Sequence, residues 1–317
     1  MQSTRDAKTY AAFLGAVLIG GTNFIAVTFS NRELPPLFGA ALRFSIAALI
    51  FYLLTRVRGL PALRRGAFLG AVLYGLFGFG FSYAGLYYAL VGLSAGTVSI
   101  VMAAAPLVTL LMATLIGQEK LTIQGVIGGL LTVAGIGFLS LGSIGGDLSL
   151  VYLLSAFVGV VSASASSVVA RSYRHVHPQS MNAVGMAAGA ALLWVGSILM
   201  GEAWFVPVEE ASWLALGWLV LLGSVGLFQL FLYIVNRWSA SAATFAISAM
   251  PVIAAGLGAL VLDQPITIEI VAGGLLVIAA VYIGAIRRSG QKSGEMAAKG
   301  AMSSEKQVVG EVAEPQA

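Results

Sequence analysis

Apolar residues run along this chain in long blocks that hold almost no charge, and short polar or Gly/Pro-containing connectors separate the blocks. A helix that crosses a bilayer needs roughly 20 consecutive apolar residues. Ten stretches meet that requirement: 10–29, 37–55, 67–88, 94–117, 123–141, 150–170, 181–201, 212–234, 239–262 and 268–286. No connector is long enough to fold alone. The expected fold class is all-α integral membrane, with about ten transmembrane helices. Residues 1–9 form a short polar N-terminus, and the apolar run that follows lacks a small-x-small cleavage site, so it reads as a retained first helix. From Arg287 the composition turns to Gly, Ser, Ala, Lys and Glu, which predicts a disordered tail over 287–317.

Composition agrees with lipid as the solvent. The chain is 59% hydrophobic and 9% charged, against roughly a quarter charged in an average soluble domain. A soluble globule could not cover that much apolar surface. With no cysteine there is no disulfide, thiol redox centre or cysteine metal site.

The net charge of +4 would suit a nucleic-acid partner, but the placement of the charges gives another reason for it. With ten spans and the N-terminus inside, the cytoplasmic segments hold Arg5, Lys8, Arg56, Arg58, Arg64, Arg65, Lys120, Arg171, Arg174, Arg237, Arg287, Arg288, Lys292, Lys299 and Lys306. Arg32 alone lies outside, and Arg43 lies within a span. The outer loops carry Glu33, Asp147, Glu202, Glu209, Glu210 and Asp263. This is the positive-inside pattern, and one miscounted span would scramble it. It places the protein in the cytoplasmic (inner) membrane as a multi-pass protein with both termini cytoplasmic. A lipid bilayer, and no nucleic acid, is the expected macroscopic partner.

Residues 86–139 and 231–284 align without a gap at a constant offset of 145. Pro106 falls on Pro251, Thr122-Ile123 on Thr267-Ile268, Gly128-Gly129-Leu130-Leu131 on Gly273-Gly274-Leu275-Leu276, Ser94-Ala95 on Ser239-Ala240 and Tyr88 on Tyr233. Shared apolar composition would scatter Leu and Ala matches without aligning two prolines and two Gly-Gly pairs. The chain therefore reads as a duplication. Five spans per half is an odd number, so the halves are inverted, an arrangement that places a substrate site near the midplane.

These residues resemble the drug/metabolite transporter (DMT) superfamily, in its EamA-type branch. The resemblance rests on Gly20-Gly21-Thr22-Asn23-Phe24, on Pro35-Pro36 with Ala41-Leu42-Arg43-Phe44, and on the module Pro106…Gln118-Glu119-Lys120-Leu121-Thr122…Gly128-Gly129 with its second copy. It implies two EamA-type repeats of five helices, over 10–141 and 150–286, and export of amino acids, related metabolites or lipophilic drugs. Gln264 stands where the module usually carries Glu, which argues against a role needing carboxylates in both halves.

Candidate site residues follow from polarity at depth. Pro106 and Pro251 lie mid-span at matching positions, and each deprives a carbonyl (Met102, Ile247) of its helical N–H, so both read as hinges beside a cavity or as static kinks. Ser99 and Thr244 precede those prolines by two helical turns on the same face, and Ser248 follows Thr244. Thr22, Asn23, Ser162 and Ser166 add polar groups near mid-depth; each alone could serve as interhelical glue. Tyr83 and Gln229 lie deeper than Tyr87 and Tyr88, which suit an interfacial aromatic belt. The predicted substrate-binding set is Thr22, Asn23, Tyr83, Ser99, Met102, Ser162, Ser166, Gln229, Thr244 and Ser248. Arg43, the one unambiguous charge within a span, is assigned with Pro106 and Pro251 to hinge or gating, direct contact with an anionic group being its other reading. Glu119 caps or pairs with loop cations, and His175 and His177 are expected in solvent.

Enzyme chemistry lacks parts. The spans hold no His, Lys or paired Asp for acid–base or metal catalysis, and no phosphate-binding Gly-x-x-x-x-Gly-Lys that would take ATP. No cofactor or metal is expected. The expected function is a secondary transporter, an exporter moving a small metabolite such as an amino acid, or a lipophilic drug-like compound, by alternating access. A membrane receptor or channel is the alternative. Oligomeric state is left open, a monomer being one reading. With no carboxylate or His deep in a span, facilitated diffusion or exchange is expected; proton coupling through Glu119 or Glu269 is the rival.

The topology is directly testable because the chain has no cysteine. Loops 56–66, 171–180 and 236–241 should face the cytoplasm, and 30–36, 142–149 and 202–211 the outside. A Phe205→Cys variant in intact cells should react with a membrane-impermeant maleimide; reaction only after permeabilisation would refute the inverted arrangement.

Overall fold

A computed structural model describes residues 2–93, 95–140, 149–261 and 266–287. Ser94, Asp147, Asp263-Gln264-Pro265 and the tail from Arg288 lie outside the described residues. The chain is all-helical: α1 (Gln2–Ser30), α2 (Pro36–Val57), α3 (Arg65–Gly92), α4 (Ala95–Ala103 and Ala105–Leu115), α5 (Ile123–Leu139), α6 (Leu150–Ser172), α7 (Pro178–Leu199), α8 (Glu210–Arg237), α9 (Ala240–Val261) and α10 (Ile268–Val281, continued by a π turn over Tyr282–Arg287). Among the described residues, nine of these helices are long and apolar enough to cross a bilayer, and α5 is a shorter apolar helix. Large apolar side chains point outward, such as Leu260 at 81% and Leu275 at 64% exposure, while Thr132, Asn182, Ser197 and Ser224 are buried. Apolar surface around a polar-bearing interior is what a lipid-solvated protein requires.

The halves are inverted and interlaced. The start of α2 meets the residues just after α7, because Leu37 N–H and Phe38 N–H both donate to the Glu202 carboxylate, at 3.0 and 2.7 Å. Corresponding helices therefore run in opposite directions. The same holds for α5 and α10, where Gly128 faces Gly284 and Gly135 faces Gly273 and Val277. The helices other than α5 and α10, which pair with each other, form two four-helix groups that mix the repeats and are joined along α2 and α7, the most closely packed helix pair among the described residues. One bundle is α1, α2, α8 and α9; the other is α3, α4, α6 and α7. The bundles meet mainly along α2 against α7 and α4 against α9.

The duplication is sharper in the backbone than in the residues. Both α3 and α8 carry a π turn, over Leu76–Phe81 and Leu221–Gly226. The two lie at the same offset of 145 found in the sequence. In each, one N–H reaches back five residues rather than four, Ser82 to Phe77 and Leu227 to Leu222. π turns are rare and concentrate at functional sites.

The two prolines behave differently. Pro106 follows a break at Ala104, so α4 is two helices, whereas α9 runs unbroken through Pro251. Close packing holds α9 there: a Cβ on Gly21 would overlap Ile253, and one on Gly20 would overlap Met250. In α4 the Ser164 hydroxyl donates to the Ala105 carbonyl at 3.4 Å.

Glycine contacts give a stability test. A Cβ on Gly75 would overlap the backbone carbonyl of Gly185, while one on Gly217 meets nothing within 4 Å. Gly75→Ala should destabilise by about 1–3 kcal/mol or more, since backbone cannot rotate away. Gly217→Ala should leave the melting midpoint in detergent unchanged or slightly raised, since Ala is the better helix former.

Candidate functional site

The centre of the molecule is aromatic. Phe44 of α2 packs against Phe79 and Tyr83 of α3, with both ring centroids at 4.9 Å, and Phe79 packs against Phe228 of α8 at 4.7 Å. Tyr83 and Phe228 are repeat mates at the 145 offset. Phe44 and Phe228 belong to one bundle, Phe79 and Tyr83 to the other, so the rings close the seam between the bundles. Tyr87 continues the row from Tyr83 at 6.1 Å and is half-buried. The belt expected of Tyr87 and Tyr88 thus falls to Tyr88, 40% exposed beside Tyr152.

Arg43 borders this cluster. It is 5% exposed, and its guanidinium lies 5.0 Å from the Phe44 ring centroid. Nε donates to Ser224 Oγ at 2.6 Å, and Nη2 donates to the Gly223 carbonyl at 2.8 Å. Both acceptors sit in the π turn of α8. There the Leu227 N–H bonds Leu222 and leaves Gly223 without its ordinary α-helical donor. Asn23 Nδ2 donates to the same carbonyl at 3.4 Å. In the other half Ser166 Oγ donates to the Tyr74 carbonyl at 2.8 Å, beside the π turn of α3.

The remaining predicted residues divide by what their polar atoms do. Thr22 donates to Ile19 O at 2.7 Å, Thr244 to Ser241 O at 2.7 Å and Ser248 to Thr244 O at 3.4 Å, each within its own helix. Thr22 also lines an apolar recess with Phe29, Leu214, Trp218 and Leu257, which contains none of the central rings. Met102 packs in a separate apolar cluster with Leu93 and Tyr152. Among the described residues, the hydroxyls of Tyr83, Ser99 and Ser162 make no hydrogen bond, and Gln229 Oε1 and Asn23 Oδ1 are buried without a partner.

Polar staples cross the bundle seam at both ends. At one face Glu202 caps α2, and it also accepts from Ser197 Oγ at 2.7 Å. At the opposite face Glu119, 6% exposed, accepts from Ser241 N–H at 3.0 Å and Ser241 Oγ at 2.5 Å, capping α9. Arg171 Nη1 donates to the carbonyls of Val235 and Asn236, each at 2.7 Å, at the end of α8. Glu33 caps α8 through the N–H groups of Val208 and Glu209, and the Val208 bond leads in holding its carboxyl below the usual carboxylate range. His177 is exposed, as expected, but it also caps α7 by accepting from Gln179 N–H at 3.3 Å. Desolvation lowers its pKa and favours the neutral, accepting imidazole. Sequence reasoning passed over Phe44, Phe79, Phe228, Ser224, Glu202 and Arg171. Extending the 145-residue alignment upstream to Gly78 and Gly223 was the available signal for the π turns.

A ten-helix duplication of this kind defines a multi-pass membrane protein. The chain belongs to the EamA-like transporter family, which matches residues 7–141 and 150–285 and forms part of the DMT superfamily. It is 27% identical to an uncharacterized transporter of Archaeoglobus fulgidus over 87% of this chain and 98% of that one. It is 26% identical to the uncharacterized transporter YoaV of Bacillus subtilis over 90% of this chain and 99% of YoaV. With the uncharacterized inner membrane transporter YedA of Escherichia coli K12 it shares 27% identity over 86% of this chain and 90% of YedA. A crystal structure 22% identical to it superposes with a TM-score of 0.74 over 89% of this chain and 98% of the other, which shows the shared fold. The family and the named relatives support membrane transport.

The staples are open to test one at a time. Glu119→Ala removes both acceptors that cap α9 and should cost about 0.5–2 kcal/mol of stability. Glu119→Gln, which keeps one carbonyl acceptor, should fall between. Equal melting midpoints for all three proteins would contradict the capping role.

Proposed function

We propose that this protein is a secondary transporter of the inner membrane, with both termini cytoplasmic, that exports a small metabolite such as an amino acid, or a lipophilic drug-like compound, by alternating access. The observation that carries the reading is the seam. Aromatic rings from both bundles close its middle, Glu202 ties its one end, and Glu119 and Arg171 tie the other. Breaking one set of staples while the other holds would expose the rings to one side at a time. The moving bodies are the mixed bundles, since each sequence repeat is divided between them. Pro106 and Pro251 lie on α4 and α9, which face each other across the seam, where a weakened helix can bend.

Counterflow in proteoliposomes tests the reading. Vesicles preloaded with an unlabelled candidate solute should transiently accumulate the labelled solute, and uptake should saturate. Pro106→Ala and Pro251→Ala should slow exchange without unfolding the protein, because restored helical hydrogen bonds stiffen the hinge. Linear, non-saturating flux would favour a pore, and binding without flux a receptor. Uptake driven solely by an imposed pH gradient, and lost in Glu119→Gln or Glu269→Gln, would replace exchange by proton coupling.

A further inference from the structure

Near the π turn of α3, a backbone carbonyl is satisfied without a charge, by the neutral hydroxyl of Ser166. Counting from the helix starts at Pro36 and Pro178, the position matching Arg43 is Gly185, which lies against Gly75 of α3. Satisfying Gly223 therefore does not demand a cation. Asn23 already donates to it. Yet a permanent charge sits 5% exposed within the membrane span, with a neutral hydroxyl, a neutral carbonyl and the face of the Phe44 ring as partners. It makes no ion pair with any described carboxylate. A guanidinium offers five N–H donors, and two are used here. An isolated buried charge is costly in hydrocarbon and marks a functional site by default.

We propose that the unused side of Arg43 binds a singly charged anion, a small monocarboxylate whose apolar or aromatic body lies against Phe44, Phe79, Tyr83 and Phe228. A carboxylate matches the guanidinium fork with two parallel bonds. One guanidinium is balanced by one negative charge, and among the described residues Arg43 is the single cation at this depth of the spans, so a phosphate dianion would leave an uncompensated charge. The unpartnered hydroxyl of Tyr83 gives the bound molecule a second polar contact. Calling the ligand a substrate rests on the transport reading; the anion site does not.

The test uses the full chain in phosphatidylcholine nanodiscs, which contain no anionic lipid, and follows thermal midpoint and direct binding. Probes are pairs of aromatic and aliphatic monocarboxylates with their carboxamides, such as benzoate with benzamide and phenylacetate with phenylacetamide. At least one carboxylate should bind saturably, and its amide about tenfold more weakly or not at all. Arg43→Gln should lose that discrimination, whereas Ser224→Ala should bind the carboxylate as tightly as wild type or more so, because Arg43 is then freer. A purely structural Arg43 would make Ser224→Ala and Arg43→Gln fail alike. Should Arg43→Gln not fold, the acid–amide pairs and Ser224→Ala decide alone. Equal binding of every acid and amide, absence of binding by all the acids, or weakened binding in Ser224→Ala would overturn the proposal. Counterflow of some other solute alongside such a result would leave transport intact. Carboxylate binding with no counterflow of any solute would remove transport and leave the site.

Discussion

Inside a bilayer no water is at hand to receive a carbonyl that its own helix releases, so the protein must supply the donor. The π turns of α3 and α8 sit where that requirement is felt, and side chains from neighbouring helices answer it. Gly223 receives Asn23 and Arg43, while Ser166 donates beside the turn of α3. These bonds tie α1 and α2 to α8, and α6 to α3. Since α8 and α3 come from the opposite repeats, satisfying their backbones interlaces the halves and produces two mixed bundles.

What remains between the bundles is a seam of different chemistry. Its middle is filled by closely packed rings, and its ends are held by carboxylate and guanidinium caps on helix termini. Such caps are individually modest, on the order of 1 kcal/mol.

Much of this was legible in the residues. Ten apolar blocks and the Pro106/Pro251 and Gly128/Gly273 registers follow from composition and spacing, because lipid demands length and duplication preserves position. The depth of Arg43 was visible as well. Its partners were not, because a π turn leaves little mark on sequence: Leu76–Phe81 and Leu221–Gly226 share only Leu and Gly at matching places. The polar residues also divided in a way that periodicity cannot resolve. Thr244 and Ser248 sit on the face of Pro251 as expected, yet their hydroxyls turn back to their own helix. The two prolines looked equivalent and differ, since Met250 and Ile253 brace α9 against glycines of α1 whereas α4 breaks at Ala104.

Under alternating access, the seam opens at one end only while the other stays closed. Paired spin labels on the cysteine-free chain measure this by double electron–electron resonance. One pair, Arg32→Cys with Val91→Cys, spans the seam at the Glu202 face; the other, Val57→Cys with Arg174→Cys, spans it at the Glu119 face. All four positions are exposed. Across lipid, pH and candidate solutes, the account predicts reciprocal populations, the long distance in one pair accompanying the short distance in the other. Distances that lengthen together at both faces, or that never change at either, would contradict it.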